Sequence, residues 1–388
     1  MKYDFTTLID RHNTGSLKWD CKENELPMWV ADMDFAVAPE IQKAIIRRAG
    51  HPIYGYTSPD DSWYNAYISF WKDEFGFTMK KEWLAFSEGV VPIISSSVRK
   101  FTKEGDNIVV LSPVYNIFYN SIINNHRQPL EVPLLRKGDD FFIDFDKLEK
   151  AFEDPRTTLI IFCNPHNPVG RIWTKDELAK LGEMASRNHV VVLSDEIHCP
   201  LTRPGTKYVP FASVNETNLN NCIMAVSPTK AFNLAGIQTS CLVVPNKELR
   251  KKAVRQINTD EVAEPNVFAC PAAVAALNEG REWLKELNEV IFNNRDRLEE
   301  FAGKEIPEIE VLKGDATYLA WADIRKLTSD ARDFCSFLRE KTGLWIQSGE
   351  VYGQGGEGYV RINLACPRSR LEDGLARLKK GVDLYKAR

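Results

Sequence analysis

The sequence predicts an α/β protein whose larger part is built on a mainly parallel sheet. Between residues 80 and 245, short apolar runs are mostly separated by segments with an amphipathic helical pattern. Strands that alternate with helices in this way form parallel sheets covered on both faces. Several runs are apolar at nearly every position, as buried parallel strands are. The predicted strands cover residues 83–86, 108–111, 159–162, 190–193, 223–226 and 242–244.

The pattern changes after residue 280. A long charged helix is predicted from Arg281 through Glu300, and short strands are predicted at residues 318–321 and 359–364. A closing helix begins at Arg370. This order of elements predicts a second, smaller α+β domain.

Composition permits an enzyme and argues against two classes of partner. The 388 residues are 44% hydrophobic, which is enough for a substantial core. The formal net charge is −4, with acids and bases interleaved, so no basic surface is predicted for nucleic acid or an anionic membrane. The longest uncharged stretch, residues 107–126, contains five asparagines and a proline, which a membrane-spanning helix would not tolerate.

The eight cysteines predict a reducing, cytoplasmic location. Their spacing is irregular and includes no Cys-x-x-Cys pair, so we expect neither a zinc site nor a disulfide framework. The N-terminal residues lack the apolar core of a secretory signal. No metal is predicted.

Three reactive or polar side chains follow predicted strands directly. Lys230 lies in a turn after residues 222–226, where its amine could form a Schiff base with an aldehyde cofactor; a solvated loop lysine is the alternative. Asp195 closes the run at 190–193 and could keep a pyridine nitrogen protonated, although an aspartate there could also cap a helix. Asn167 follows 159–162 in a rigid turn with two Asn-Pro pairs.

The position of these residues predicts a common site. Ligands of parallel α/β sheets bind beyond the carboxyl ends of the strands, where all three side chains fall. His198, three residues after Asp195, is either a neighbour of the ligand or a packed core histidine. A helix start at residues 87–92, directly after a strand, offers backbone N–H groups to a phosphate.

Taken together, these motifs resemble the pyridoxal 5′-phosphate (PLP) enzymes of aminotransferase fold type I. The resemblance rests on Asn-Pro-His-Asn-Pro-Val-Gly at 164–170, Ser-Asp-Glu-Ile-His at 194–198 and Ser-Pro-Thr-Lys-Ala-Phe-Asn-Leu-Ala-Gly at 227–236. Pro-Met-Trp-Val-Ala-Asp-Met-Asp-Phe at 27–35 and Arg-Ile-Asn-Leu at 361–364, with Gly-Tyr-Thr at 55–57, are similar to the cystathionine beta-lyase (C-S lyase) branch. The similarity covers nearly the whole chain.

The resemblance implies the PLP-transferase type I fold and its cofactor. It implies a large PLP-binding domain at residues 45–280 and a small domain formed by residues 1–44 and 281–388, with the active site between them. It also implies a homodimer with shared sites, in which Tyr56 reaches the phosphate of the neighbouring subunit. The remaining cofactor-binding residues implied are Val90, Val91, Tyr115, Asn167, Asp195, His198, Ser227, Thr229 and the catalytic Lys230.

Arg361 is the predicted anchor of the substrate. It lies inside the strand-like run 359–364, where a buried arginine is costly unless it is paired with an anion. The resemblance supplies the α-carboxylate of an amino acid, bound also by Asn167 and the backbone at Ala31. The alternative is a structural ion pair with an internal acid.

The implied reaction is α,β-elimination of L-cystathionine or a related S-substituted cysteine to pyruvate, ammonia and a thiol. An aminotransferase of the same fold is the main alternative, and a PLP-binding regulator that docks onto a transcription factor is another. Gln238 favours the lyase, because many aminotransferases carry a phosphate-binding arginine there. Asn116 stands where some relatives carry a second tyrosine, so a role of that tyrosine in substrate binding or leaving-group protonation is not carried over to this chain.

Overall fold

The computed structural model describes residues 1–388. The helices longer than one turn are α1 Pro39–Ala49, α2 Asp61–Phe75, α3 Val90–Phe101, α4 Ile117–Ile123, α5 Phe145–Phe152, α6 Lys175–Arg187, α7 Glu216–Asn220, α8 Lys247–Thr259, α9 Ala269–Glu279, α10 Arg281–Glu305, α11 Ala331–Thr342 and α12 Arg368–Lys386. The strands are β1 Leu26–Pro27, β2 Leu84–Ser87, β3 Asn107–Val110, β4 Gln128–Glu131, β5 Leu135–Lys137, β6 Asp140–Phe142, β7 Thr157–Cys163, β8 Val191–Asp195, β9 Cys222–Val226, β10 Ser240–Val243, β11 Glu310–Val311, β12 Leu319–Asp323, β13 Leu344–Trp345, β14 Gln347–Ser348 and β15 Tyr359–Asn363.

The large sheet has seven strands in the order β2-β10-β9-β8-β7-β3-β4. All neighbours from β9 to β4 pair in parallel, whereas β10 is antiparallel to both β9 and β2. The link from β9 to β10 contains no α-helix to carry the chain back across the sheet. The predicted α/β class and the mainly parallel sheet are therefore confirmed.

Both faces of the large sheet are covered by apolar side chains. Along β7, Ile160 and Phe162 belong to one buried cluster while Leu159 and Ile161 belong to another, as the alternation of a strand requires. This two-sided burial explains the continuous apolar runs of the sequence. The edge strand β4 is half-exposed and contains Pro129, so it carries no such signal and was not predicted.

A smaller antiparallel sheet, β11-β12-β15-β14, follows the long helix α10. Helix α10 continues to Glu305, one turn beyond its predicted end. A second core cluster joins Trp19, Leu26 and Met28 to apolar residues of the C-terminal part of the chain. The division into residues 45–280 and residues 1–44 with 281–388 stays a prediction.

No helix has the length and apolar character needed to cross a membrane.

Candidate active site

A cavity of about 240 Å³ lies at the carboxyl ends of β7, β8 and β9. Asp195 is the last residue of β8, Asn167 follows β7, and Lys230 follows β9. The sheet therefore brings the three strand-end residues together. The other sequence-predicted residues in the cavity wall are Ala31, Val90, Val91, Tyr115, His198 and Thr229.

Lys230 presents a desolvated amine to the cavity. Its Nζ donates a hydrogen bond to the carbonyl oxygen of Ala31 at 2.7 Å. Burial, and next the positive charge of Arg361, lower the pKa of Lys230 to about 8. A substantial fraction of this amine is neutral at slightly alkaline pH, so it can act as a nucleophile or a base.

Asp195 is buried without a cationic partner in contact. Its side chain accepts one hydrogen bond, from the backbone N–H of Ile197 at 3.1 Å. Burial raises the pKa of Asp195 to about 7, against the opposing effects of that N–H group and of Lys230. A protonated ring nitrogen beside the carboxylate would restore its ionised form. The local charge therefore fits a cationic aromatic N–H group.

The N-terminus of α3 forms a second wall of the cavity. The helix begins at Val90, and Gly89 before it provides no side-chain cap. The first amides of a helix have no acceptor within it, so those of Val90 and Val91 are available to an anion. The hydroxyls of Thr229 and Ser227 lie 2.8 Å apart on the facing turn. Thr229 lines the cavity, whereas Ser227 lies behind it.

Arg361 is a buried guanidinium that contacts no carboxylate. Its hydrogen bonds go to Asn167 Oδ1 at 3.2 Å and to the carbonyl oxygen of Trp29 at 3.0 Å. The ring of Tyr352 packs on it with a centroid distance of 4.9 Å, and its Nε has no partner. The alternative of a structural ion pair is therefore wrong. Unused donors on a buried cation favour an anionic ligand.

His198 and Tyr115 complete the side walls. His198 is buried, its Nδ1 has no hydrogen-bond partner, and burial lowers its pKa to about 3, so the ring is neutral. Tyr115 borders the cavity, and burial raises the pKa of its hydroxyl. A neutral imidazole and a phenol in the cavity wall give the site hydrogen-bonding groups without additional charge.

Tyr318 belongs to this site and was missed at the sequence level. Its hydroxyl donates to the carbonyl oxygen of Ala31 at 3.0 Å, the same atom that accepts from Lys230. It stands in the apolar run 318–321, where a tyrosine is an ordinary strand residue. Tyr318 is identified only by its contact with Ala31 in the folded chain.

Tyr56 lies outside the cavity and is fully exposed in the single chain. Its predicted contact with a phosphate requires a second subunit. The exposed side chains of Ile53 and Tyr54 precede it, and Ile46 is exposed on α1. These four exposed side chains lie within eleven residues of the chain.

Comparison with known proteins gives one consistent result. A family model described as aminotransferase class I and II matches residues 25–378. The chain is 39% identical to cystathionine beta-lyase PatB of Bacillus subtilis (strain 168), covering 98% of this chain and 100% of that protein.

Two solved structures share the fold over their full lengths. Cystalysin from Treponema denticola, which contains a pyridoxal 5′-phosphate cofactor, has a TM-score of 0.95 and 34% identity, with 99% of each chain covered. The PLP-bound C-S lyase from Staphylococcus hominis has a TM-score of 0.92 and 33% identity, with 98% of each chain covered.

Proposed function

The chain belongs to the aminotransferase class I and II family, in its cystathionine beta-lyase and C-S lyase branch, and from this we propose its reaction. It is a PLP-dependent C-S β-lyase that converts L-cystathionine or a related S-substituted cysteine to pyruvate, ammonia and a thiol. The observation that carries the proposal is the buried Arg361 without a carboxylate partner, beside the desolvated amine of Lys230.

The cavity fits the cofactor of the family. Free amides at Val90 and Val91 suit the phosphate, the unpaired carboxyl of Asp195 suits the pyridine nitrogen, and the amine of Lys230 suits the aldehyde. When bound, PLP withdraws electrons from the α-carbon of the substrate. Asn167, Tyr115, His198, Ser227 and Thr229 are proposed to hold it on its remaining sides.

The protein's own residues supply binding and proton transfer. Arg361, Asn167 and the backbone at Ala31 hold the α-carboxylate, so the α-carbon has one orientation in the cavity. The neutral amine of Lys230 takes the α-proton. The electron pair of the broken C–H bond then forms a double bond to the β-carbon as the bond from that carbon to sulfur breaks. The sulfur leaves with the electron pair of its own bond and takes up a proton equivalent to the one that Lys230 removed, which gives a thiol. The enamine released reacts with water to give pyruvate and ammonia.

An assay of pyruvate separates this reaction from transamination, which the family description also favours. We expect L-cystathionine alone to yield pyruvate over many turnovers, because elimination needs no keto acid. L-alanine is the matched control, since it has the same amine and carboxylate but no β-sulfur. Pyruvate from L-alanine with an added keto acid, and none from L-cystathionine, would identify an aminotransferase instead.

We propose that the enzyme is a homodimer with shared sites. The proposal is supported by the exposed Tyr56 and by the exposed side chains of Ile46, Ile53 and Tyr54 near it in the chain. An isologous contact at this surface would bring Tyr56 of one subunit to the site of the other.

Mixing two inactive variants tests this arrangement. We expect Tyr56→Ala and Lys230→Ala proteins to be weakly active or inactive alone and to regain about a quarter of wild-type pyruvate formation after subunit exchange, since random pairing gives half hybrid dimers with one intact site each. Two Lys230→Ala preparations mixed together are the control. If Tyr56 acted within its own subunit, mixing would restore nothing.

We also propose a cytoplasmic location and the domain division predicted above. All eight cysteines are free and six are buried, which suits a reducing compartment. The separate core cluster that joins the N-terminal segment to the C-terminal part supports a small domain made of residues 1–44 and 281–388. The substrate of the enzyme is an amino acid.

A further inference from the structure

We propose that Asn233 and Asn363 are positioning residues that hold residues 29–35, here called the strap, across the substrate end of the cavity. The strap carries Ala31, whose carbonyl oxygen accepts the hydrogen bond from Lys230. The inference rests on the proposed function for the role of Ala31 in substrate binding. The two asparagine side chains lie outside the cavity wall and act on the backbone to either side of Ala31.

The strap needs side-chain donors because it is neither helix nor strand. Its successive carbonyl groups therefore accept hydrogen bonds from residues distant in the chain. Trp29 accepts from Arg361, and Ala31 accepts from Lys230 and Tyr318. Four further carbonyls accept from the two asparagines, although that of Asp32 also accepts from Lys18 at 3.2 Å and that of Met33 from Arg11 at 3.0 Å.

Asn363 holds the strap on both sides of Ala31. Its Nδ2 donates to the carbonyl oxygens of Val30 at 2.6 Å and Asp32 at 2.7 Å. Its Oδ1 accepts from the N–H of Ala365 at 2.8 Å, which fixes the orientation of the amide. Asn363 lies two residues after Arg361 in β15, and alternate residues of a strand face the same side. The strand that presents the guanidinium thus also supports the backbone beside it.

Asn233 holds the strap from the large-sheet side. It lies three residues after Lys230, in a left-handed backbone conformation with φ of 56°. Its Oδ1 accepts from the N–H of Met33 at 3.0 Å, and its Nδ2 donates to the carbonyl oxygens of Met33 at 3.2 Å and Phe35 at 3.0 Å. The turn that presents the amine of Lys230 therefore also binds the strap.

The amide side chain is the group that both positions require. Asn363 and Asn233 each donate to two carbonyl oxygens and accept from one N–H, a set that an uncharged amide satisfies and a carboxylate does not. Loss of the Asn363 amide would remove the side-chain donor to Val30 and leave the carbonyl of Asp32 with Lys18 alone. Loss of the Asn233 amide would leave the carbonyl of Phe35 without a donor, so either change would let the strap shift. A displacement of about 1 Å in a substrate-positioning group can cost about 10²-fold in rate.

Asn363→Ala tests the proposal against a matched control, Asn294→Ala. Asn294 is equally buried and donates to the carbonyl oxygens of Leu364 at 3.0 Å and Cys366 at 2.9 Å, yet it does not contact the strap. We expect Asn363→Ala to raise KM for the amino-acid substrate by about tenfold or more, with a smaller change in kcat, and Asn294→Ala to change KM by less than about threefold.

Hydrogen exchange of the full-length proteins supplies a readout that needs no turnover. Backbone amides of residues 29–35 should exchange faster in Asn363→Ala than in wild type, and at the wild-type rate in Asn294→Ala. Equal effects of the two substitutions on KM and on exchange would reduce Asn363 to a structural role and overturn the proposal. If the wild-type protein released no pyruvate, the lyase assignment would fail while exchange still tested the strap.

A second variant covers the case in which Asn363→Ala does not fold. Asn233→Gly removes the amide and keeps the left-handed backbone, which glycine adopts without strain. We expect the same rise in KM and the same faster exchange at residues 29–35. Unchanged exchange there would contradict the inference.

Discussion

Replacing Lys230 by alanine should reduce pyruvate formation from L-cystathionine by at least about 10³-fold. Removing a general base alone typically costs 10²- to 10⁴-fold, and Lys230 is also the proposed attachment point of the cofactor. No other lysine lines the cavity, so no neighbouring amine can replace it. Steady-state kinetics with saturating PLP, coupled to pyruvate reduction, measure the loss.

The fold should survive this substitution. The side chain of Lys230 makes one hydrogen bond, and burial destabilises its charged form. Its removal should therefore change the free energy of unfolding by about 1 kcal/mol or less. Lys285→Ala, an exposed lysine on α10, is the matched control and should keep full activity. A Lys230→Ala protein that retained more than about a tenth of wild-type turnover would remove Lys230 from the mechanism.

Replacing Arg361 by alanine should raise KM for L-cystathionine by about 100-fold or more and change kcat less. Truncating one partner of a buried, hydrogen-bonded charge pair costs about 2–5 kcal/mol, and no carboxylate of the protein contacts this guanidinium in place of the proposed α-carboxylate. Arg361→Lys keeps the positive charge but cannot bind a carboxylate bidentately, so it should give a KM between those of the wild type and Arg361→Ala. Initial rates over a wide substrate range separate the two constants.

Arg295→Lys is the control for burial alone. Arg295 is also fully buried without a carboxylate partner, but its guanidinium donates to the carbonyl oxygens of Leu312 and Leu319. Its replacement should lower stability and leave KM within about threefold of wild type. A normal KM in the Arg361→Ala enzyme would mean that the carboxylate is bound elsewhere.

The sheet could be predicted because its central strands are buried on both faces. The strand β8 and its terminal Asp195 follow from an uninterrupted apolar run, and the position of Lys230 follows from the run before it. β4 was missed because an edge strand is half-exposed and need not be apolar. Burial pattern thus predicts the strands and the edge at which the site forms.

Other parts of the site leave no periodic signal in the sequence. Tyr318 lies in an apolar strand, and its contact with Ala31 joins residues far apart in the chain. Asn233 and Asn363 act on an irregular segment, which has no repeat from which their partners could be inferred. The role proposed for Tyr56 requires a second chain, and its side chain is fully exposed in one. Contacts of this kind become visible only in three dimensions.

The antiparallel pairing of β10 restricts how the loop that carries Lys230 can vary in length. Cys241 of β10 pairs with Val226 of β9, and the neighbouring Ala225 pairs with Asp195 of β8. The pairing therefore fixes the position of both ends of the loop relative to the strand that carries Asp195. No α-helix in residues 227–239 could shift to accommodate an inserted or deleted residue. Such a change would therefore move the amine of Lys230 relative to the carboxylate of Asp195. Engineering that grafts peptides or recombines homologous segments should therefore leave this loop intact.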